Sequence, residues 1–276
     1  SIFGALPFVL CGDIPSFTDA LFETISGFTT TGASILKDVE SLSRCSMFWR
    51  CFTHWIGGMG VIVFLMTVLP LTGGSWIHLL RAESPGPSVG KLVPRMRHTA
   101  GILYLIYLCM TIIEIVLLLF GGMNWFDAVT ISFGPAGTGG FSILNSGFVT
   151  YSSYVKIVVA VFMMLFGVNF NVYFLMLNRK FVQALRCEEL RYYLMIIGIS
   201  TLIITLNILS ICGSFGKALE EAFFQVSSII TTTGFASADF NLWPQTSKTI
   251  LVLLMFIGAC AESTGGGLKV SRLVIL

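Results

Sequence analysis

Five apolar runs, at about 47–71, 99–120, 154–177, 192–212 and 247–261, alternate with short polar connections. Roughly 20 apolar residues suffice to cross a ~30 Å hydrocarbon core as an α-helix, so each run reads as a membrane span, the fifth cut short. Between some of the spans lie shorter amphipathic stretches, of which EEAFFQ (220–225) is one, each followed by a hydroxyl- or glycine-rich segment. A helix of about ten residues cannot span the membrane.

These stretches repeat. Aligning TDALFETISGFTTTGAS with FDAVTISFGPAGTGGFS and EEAFFQVSSIITTTGFAS superposes Asp19-Ala20, Asp127-Ala128 and Glu221-Ala222. In each copy thirteen residues separate the acid from a glycine: 19 to 32, 127 to 140 and 221 to 234. One copy of TTTG would pass for an ordinary polar loop with a helix-ending glycine. Three ungapped copies at fixed spacing call for a common structure, an internal repeat of helix, short helix, polar loop, helix.

Composition and charge supply the environment and the orientation. Hydrophobic residues make up 55% of the 276 positions and charged residues 11%, with a mean hydropathy of +0.88, which marks an integral membrane protein. Arg81, Lys91, Arg95 and Arg97 crowd the 72–98 connection against Glu83, and Arg179, Lys180, Arg186 and Arg191 the 178–191 connection against Glu188 and Glu189. The positive-inside rule puts both in the cytoplasm. The remaining connections hold Asp13, Asp19, Glu23, Asp38, Glu40, Asp127, Glu220, Glu221 and Asp239 and face outside. Each short helix and its polar loop therefore begin and end on the outer side, as a re-entrant loop. Non-helical backbone at that depth is tolerated only where protein buries it or where it lines a water-filled cavity. There, hydroxyls and carbonyls can replace an ion's hydration shell, and the negative C-terminal end of each short helix favours a cation.

The opening SIFGALPFVLCGDIPSF has no basic leading region and no small-residue cleavage site, unlike a signal peptide. With no initial Met and an end at RLVIL inside an apolar run, the chain reads as a fragment. Seven cysteines form no CxxC pair, and His54, His78 and His98 stand in no ligand-like spacing with them, so these residues read as packing or loop residues. No basic patch with interleaved aromatics points to nucleic acid.

The segments ALFETISGFTTTGAS, HWIGGMGVIVF, LPLTGG, LLRAESPGP, GTGGFS, EAFFQVSSIITTTGFAS and STGGGLKVSR together resemble the Trk/Ktr/HKT superfamily of potassium transporters, its bacterial TrkH-type branch in particular. The resemblance runs along essentially the whole chain. It implies an all-α integral membrane protein of helix, re-entrant pore loop, helix units in pseudo-fourfold array, each loop giving one glycine to a potassium filter. Carried onto this chain, the filter is Thr30, Thr31 and Gly32, then Thr138, Gly139 and Gly140, then Thr232, Thr233 and Gly234, with Thr29 and Thr231 on the approach. The second loop departs from the hydroxyl pattern: Gly137 and Gly139 stand where the others have threonine, and Pro135 is expected to end its short helix early. Either Gly139 or Gly140 supplies the innermost carbonyl, and the repeat spacing points to Gly140.

The chain divides accordingly: 1–71 is the end of a first outer helix, a pore loop and an inner helix; 72–98 is cytoplasmic; 99–177 is repeat 2; 178–191 is cytoplasmic; 192–276 is repeat 3. STGGG is not a fourth filter loop. Only 31 residues separate Gly234 from Gly265, room for one descending helix. Adjacent glycines each cost a helix roughly 1 kcal/mol, so Ser263–Gly267 is expected to interrupt that helix. In the resembled family this place is an intramembrane gating loop, here Ala259, Glu262, Ser263, Thr264, Gly265, Gly266, Gly267 and Lys269. GGGLKVS lacks the spacing of a phosphate-binding loop, and Lys269 and Arg272 mark the cytoplasmic boundary, where their charges can snorkel.

Other residues have plainer expectations. Glu262 either faces a water-filled cavity, attracting a cation, or is a protonated acid bonded to loop backbone. Glu114 reads as a buried, partnered structural acid. Gly57, Gly58, Gly60 and Gly167 fit close helix packing, Asn169 and Asn171 are candidate cavity residues, and Trp49, Trp55, Trp125 and Trp243 suit interfacial anchoring.

The expected function is potassium uptake across the bacterial plasma (inner) membrane by a multi-pass protein, with the ion as cargo, no cofactor and no catalytic residues. The resemblance adds a homodimer in membrane lipid and a cytosolic nucleotide-binding regulatory subunit. Channel-like permeation and H⁺ or Na⁺ symport both remain open. The alternative class is a secondary transporter with re-entrant hairpins that bind a small solute with coupling cations. Inverted repeats would favour it, yet these three repeats share one orientation.

Overall fold

The computed structural model describes residues 1–68 and 96–275. LPLTGG, LLRAESPGP and the charges Arg81, Glu83, Lys91 and Arg95 lie outside the described residues, with the Arg97 side chain. The described chain is helical, with no strand and one isolated bridge, Ile257 to Leu268.

Three groups of helices follow one another. The first is α1 (Ile2–Leu10), α2 (Phe17–Phe28) and α3 (Arg44–Val68). The second is α4 (Met96–Phe120), α5 (Trp125–Gly137), α6 (Ser153–Phe166) and α7 (Phe170–Leu177). After the short α8 (Phe181–Leu185), the third is α9 (Glu188–Cys212), α10 (Phe215–Ile230), a 3₁₀ turn (Phe240–Leu242), α11 (Gln245–Phe256) and α12 (Val270–Ile275). Polar caps start several of these helices: the Ser16, Asn124 and Ser152 side chains accept the N–H of Asp19, Phe126 and Val155.

The short helices α2, α5 and α10 are the repeated amphipathic stretches, and each lies at the centre of its group. α2 packs on α1 and α3, α5 on α3, α4 and α6, and α10 on α6, α9 and α11. Around them the core falls into patches: Ala5, Phe8 and Ala20; Tyr107, Ile131, Phe141 and Phe166; Tyr193, Ile204, Val226 and Ile230. The long helices turn their remaining apolar surface outward. Along α9, Tyr193, Ile197, Ile204 and Ile208 are buried while Met195, Ile199, Leu202 and Leu206 are exposed. α9 and residues 101–120 of α4 are long and apolar enough to cross a membrane. Such a face is stable only in lipid, and the protein is a membrane protein.

The structure corrects several expectations. Residues 154–177 do not form one straight span: α6 and α7 meet at 89° across residues 167–169. Gly167 permits the break, because a Cβ there would lie 2.4 Å from the Tyr193 hydroxyl, and Asn169 then caps α7 by accepting the Asn171 N–H at 2.8 Å. The fifth run stops being helical at Phe256, seven residues before Ser263. Gly258 and Gly267 let two extended limbs approach so closely that a Cβ on Gly258 would sit 2.0 Å from the Gly266 carbonyl oxygen.

Pro135 does not end α5 early either; it sits in the last turn, which continues to Gly137. Proline lacks the N–H but keeps its carbonyl, which accepts the Thr138 N–H at 3.2 Å. Trp125 is exposed, as an interfacial anchor should be, but Trp55 and Trp243 are buried. Trp55 donates to Thr111 and packs against Tyr107 and Phe133. Glu114 is fully buried, and among the described residues neither carboxyl oxygen has a hydrogen-bond partner.

Candidate functional site

The polar loops after α2, α5 and α10 have one backbone in common. Thr30, Thr138 and Thr232 are left-handed at φ 54°, 54° and 58°, and two residues on Gly32, Gly140 and Gly234 are left-handed at 75°, 74° and 86°. Hydrogen bonding explains the first set. The N–H groups of Thr31, Gly139 and Thr233 reach back five residues to Ser26, Gly134 and Ser228 at 2.9, 3.1 and 2.9 Å. This closes each short helix in a Schellman turn, whose left-handed residue is ordinarily glycine. A β-branched residue there costs on the order of 1–3 kcal/mol, strain of the kind found at functional sites.

The glycines bring the loops together. A Cβ on Gly32 would lie 2.0 Å from the carbonyl oxygen of Gly139, and one on Gly140 would lie 1.8 Å from that of Thr233. Gly32 and Gly140 thus each face the carbonyl just before the next loop's glycine, and the loops follow one another in chain order. Gly140, not Gly139, occupies the position of Gly32. Beside Gly234 no described atom lies within 4 Å of where a Cβ would be.

Behind the glycines the first and third loops are built alike. Ser26 and Ser228 hydroxyls donate to the carbonyls of Ala33 and Phe235 at 2.5 and 2.6 Å. The Thr29–Thr31 and Thr231–Thr233 hydroxyl pairs each lie 2.8 Å apart. The second loop has glycine at all three equivalent places, 134, 137 and 139, and other groups fill the space. The Phe235 ring would be 2.4 Å from a Cβ on Gly134, and His54 Nδ1 would be 2.4 Å from one on Gly139. His54, buried on α3, stacks on Phe141 with ring centres 3.9 Å apart, and its Nδ1 accepts the Phe141 N–H at 3.4 Å.

An imidazole therefore substitutes for the threonine pair, which explains the second loop's departure from the TTTG pattern. Gly139→Thr is expected to destabilise the detergent-solubilised protein by about 1–3 kcal/mol through overpacking, read as a lower unfolding midpoint. Pairing it with His54→Ala should restore most of that loss.

Two buried charge clusters tie neighbouring loops. Arg50 Nε meets Glu23 Oε1 at 2.6 Å, with both side chains almost wholly buried. Glu23 also accepts from the Ser34 hydroxyl and the Ile35 N–H at 2.9 and 3.1 Å. Arg50 donates to the Ser142 carbonyl at 3.0 Å, its guanidinium 3.7 Å from the Phe141 ring centre, so it spans the first and second loops. Lys156 on α6 meets Glu221 on α10 at 2.9 Å, and Ser237 donates to the same carboxylate, joining the second repeat to the third. Farther out, Asn145 donates to Asp38 at 2.6 Å, and Phe148 N–H to the Ala236 carbonyl at 2.8 Å. The Asn145 amide, with the Glu40 N–H, holds the Asp38 carboxyl below its ordinary range.

The 257–269 segment sits directly against these loops. Thr138 Oγ1 donates to the Thr264 carbonyl at 2.9 Å, and the Gly266 N–H donates to Thr232 Oγ1 at 2.7 Å. Two of the strained threonines thus hold the segment. Its other edge meets the α6–α7 break, where Cys260 N–H donates to the Gly167 carbonyl at 3.0 Å and Phe170 N–H to the Glu262 carbonyl at 3.2 Å. The two interrupted helices satisfy each other's backbone groups, as non-helical backbone at membrane depth requires. Lys269 Nζ donates to the Gly265 carbonyl. Glu262 is left-handed at φ 53° and exposed, and Ala259 is buried. Asn169 is drawn to Glu189 at 3.3 Å rather than into open space.

Gly57 would meet the Phe28 carbonyl oxygen at 2.4 Å and Gly58 the Gly137 Cα at 2.6 Å, so both allow α3 to lie against the loops, whereas nothing described approaches Gly60. The sequence reading missed Arg50, Glu23 and His54 as a set. The available signal was Arg50 itself, a cation within the apolar run.

Over residues 5–276 the chain matches the family described as TrkH, cation transport protein. It is 37% identical over 282 residues to the Trk system potassium uptake protein TrkH of Escherichia coli K12, covering 99% of this chain and 58% of that protein. To TrkG of the same strain it is 36% identical, covering 100% and 58%. The crystal structure of the potassium transporter TrkH from Vibrio parahaemolyticus superposes with a TM-score of 0.84 at 34% identity, covering 99% of this chain and 56% of that one. The chain thus spans somewhat more than half the length of the relatives it matches.

Proposed function

Because the chain belongs to the TrkH family of cation transport proteins, we propose that it contributes three of the loops of a K⁺-selective pathway for potassium uptake across the bacterial inner membrane. The observation that carries this reading is the order of the loops, Gly32 facing the carbonyl before Gly140 and Gly140 facing the carbonyl before Gly234. Backbone carbonyls aimed at an axis replace the hydration shell of a monovalent cation. The C-terminal ends of α2, α5 and α10, where the helix dipole is negative, all abut the loops and lower the energy of a cation between them. The open sector beside Gly234 is where a fourth loop would complete the ring.

In this reading Thr30, Thr31, Thr138, Gly139, Thr232 and Thr233 line the filter beside those glycines. The 257–269 loop, hung from Thr138 and Thr232, is the gate below it. The basic connections face the cytoplasm, and the protein crosses the membrane several times. A second copy and a cytosolic nucleotide-binding regulatory subunit complete the assembly.

The test is ⁸⁶Rb⁺ uptake into liposomes reconstituted with the full-length protein. Competition by K⁺ and not by Na⁺ is expected. Solute-dependent flux with no preference between the two cations would sink the reading.

A further inference from the structure

In the sequence Glu189 is one of two acids in a basic connection. In the structure it leads the first turn of α9 and reaches the base of the 257–269 loop. Its Oε1 accepts the Ala261 N–H at 2.6 Å and the Ser271 N–H at 3.2 Å, and its Oε2 faces Asn169 Nδ2 at 3.3 Å. Those donors come from three places: one limb of the loop, the first turn of α12 beyond the other limb, and the α6–α7 break.

The loop's own bonds make it a compact hairpin. Gly258 N–H donates to the Leu268 carbonyl at 2.7 Å, Leu268 N–H to that of Phe256 at 3.3 Å, and Val270 N–H to that of Ala259 at 3.3 Å. Such a unit moves as one body, and its mobility is set by what holds it from outside. The polar loops hold one edge through two threonine hydroxyls. Glu189 holds the base, from a long helix that is no part of the polar loops. One carboxyl oxygen of Glu189 takes an N–H from a limb of the hairpin and another from the first turn of α12. Swinging the hairpin off the loops breaks the Ala261 bond.

We infer that Glu189 is the positioning residue that holds the 257–269 loop against the three polar loops, so that its removal favours the displaced loop. The inference rests on the conduction reading for its flux consequence but not for its structural one. Glu189→Ala in the reconstituted full-length protein is expected to raise ⁸⁶Rb⁺ flux by about fivefold or more, with the preference for K⁺ over Na⁺ unchanged because no loop glycine is touched. Glu189→Gln keeps an acceptor oxygen and should fall between.

Cys260 provides a readout independent of flux. It is fully buried within the loop, and its alkylation by N-ethylmaleimide, quantified by peptide mass spectrometry, should rise in Glu189→Ala to several times the wild-type extent. The control Gly198→Ala, where a Cβ meets nothing within 4 Å, should leave Cys260 protected. If Glu189→Ala is not monodisperse, Glu189→Gln carries both measurements. Wild-type flux together with wild-type Cys260 protection overturns the inference, as does faster flux with lost cation preference. Raised labelling in a protein that carries no selective flux supports the anchor and overturns the conduction reading instead.

Discussion

Gly140→Ala is expected to cut K⁺-competed ⁸⁶Rb⁺ flux by on the order of 100-fold, the equivalent of about 3 kcal/mol on the barrier. Two costs combine. A non-glycine residue held at φ +74° loses roughly 1–2 kcal/mol. The added Cβ would also lie 1.8 Å from the Thr233 carbonyl oxygen, a backbone atom that cannot rotate away, so the third loop must shift. Gly32→Ala should behave likewise, since its Cβ would meet the Gly139 oxygen at 2.0 Å. Flux within twofold of wild type for either variant would exclude these carbonyls from the ion's path.

Breaking the Glu23–Arg50 pair should be the largest single loss of stability. Arg50→Met leaves a buried carboxylate without its counter-ion and is expected to cost about 3–5 kcal/mol, seen as a large drop in the thermal unfolding midpoint. Adding Glu23→Gln should recover a substantial part, because glutamine carries no charge and its carbonyl can still accept the Ile35 N–H now bound by Glu23. A double variant as unstable as Arg50→Met alone would assign the loss to the guanidinium's other contacts, the Ser142 carbonyl and the Phe141 ring. In that case Arg50 acts chiefly on the second loop.

Periodicity and spacing made much of this architecture legible. Apolar length located the long helices, because bilayer thickness sets it. The thirteen-residue interval aligned Gly140 with Gly32 and Gly234, and the threonines two residues before them share a left-handed backbone because the Schellman turn that closes each short helix is a local hydrogen-bond pattern. The glycines of the STGGG segment announced an interruption, since glycine weakens a helix wherever it lies. Where the helix stops was another matter. It ends at Phe256 because Gly258 and Gly267 pack backbone on backbone, a contact between residues nine apart.

The remainder was decided by tertiary structure. The sequence alone determined that this is a membrane protein with a threefold repeat of short helix and polar loop. It did so because hydropathy and repeat spacing are properties of the linear chain. Only the fold decided that His54 stands in for a threonine pair, that Arg50 spans two loops and that the α6–α7 break and the 257–269 loop satisfy each other. Nor could sequence spacing show Glu189 beneath that loop, 72 residues from Ala261 and 82 from Ser271. In each case a buried polar group needed a partner, and which partner came within 3 Å depended on the packing of helices distant in sequence.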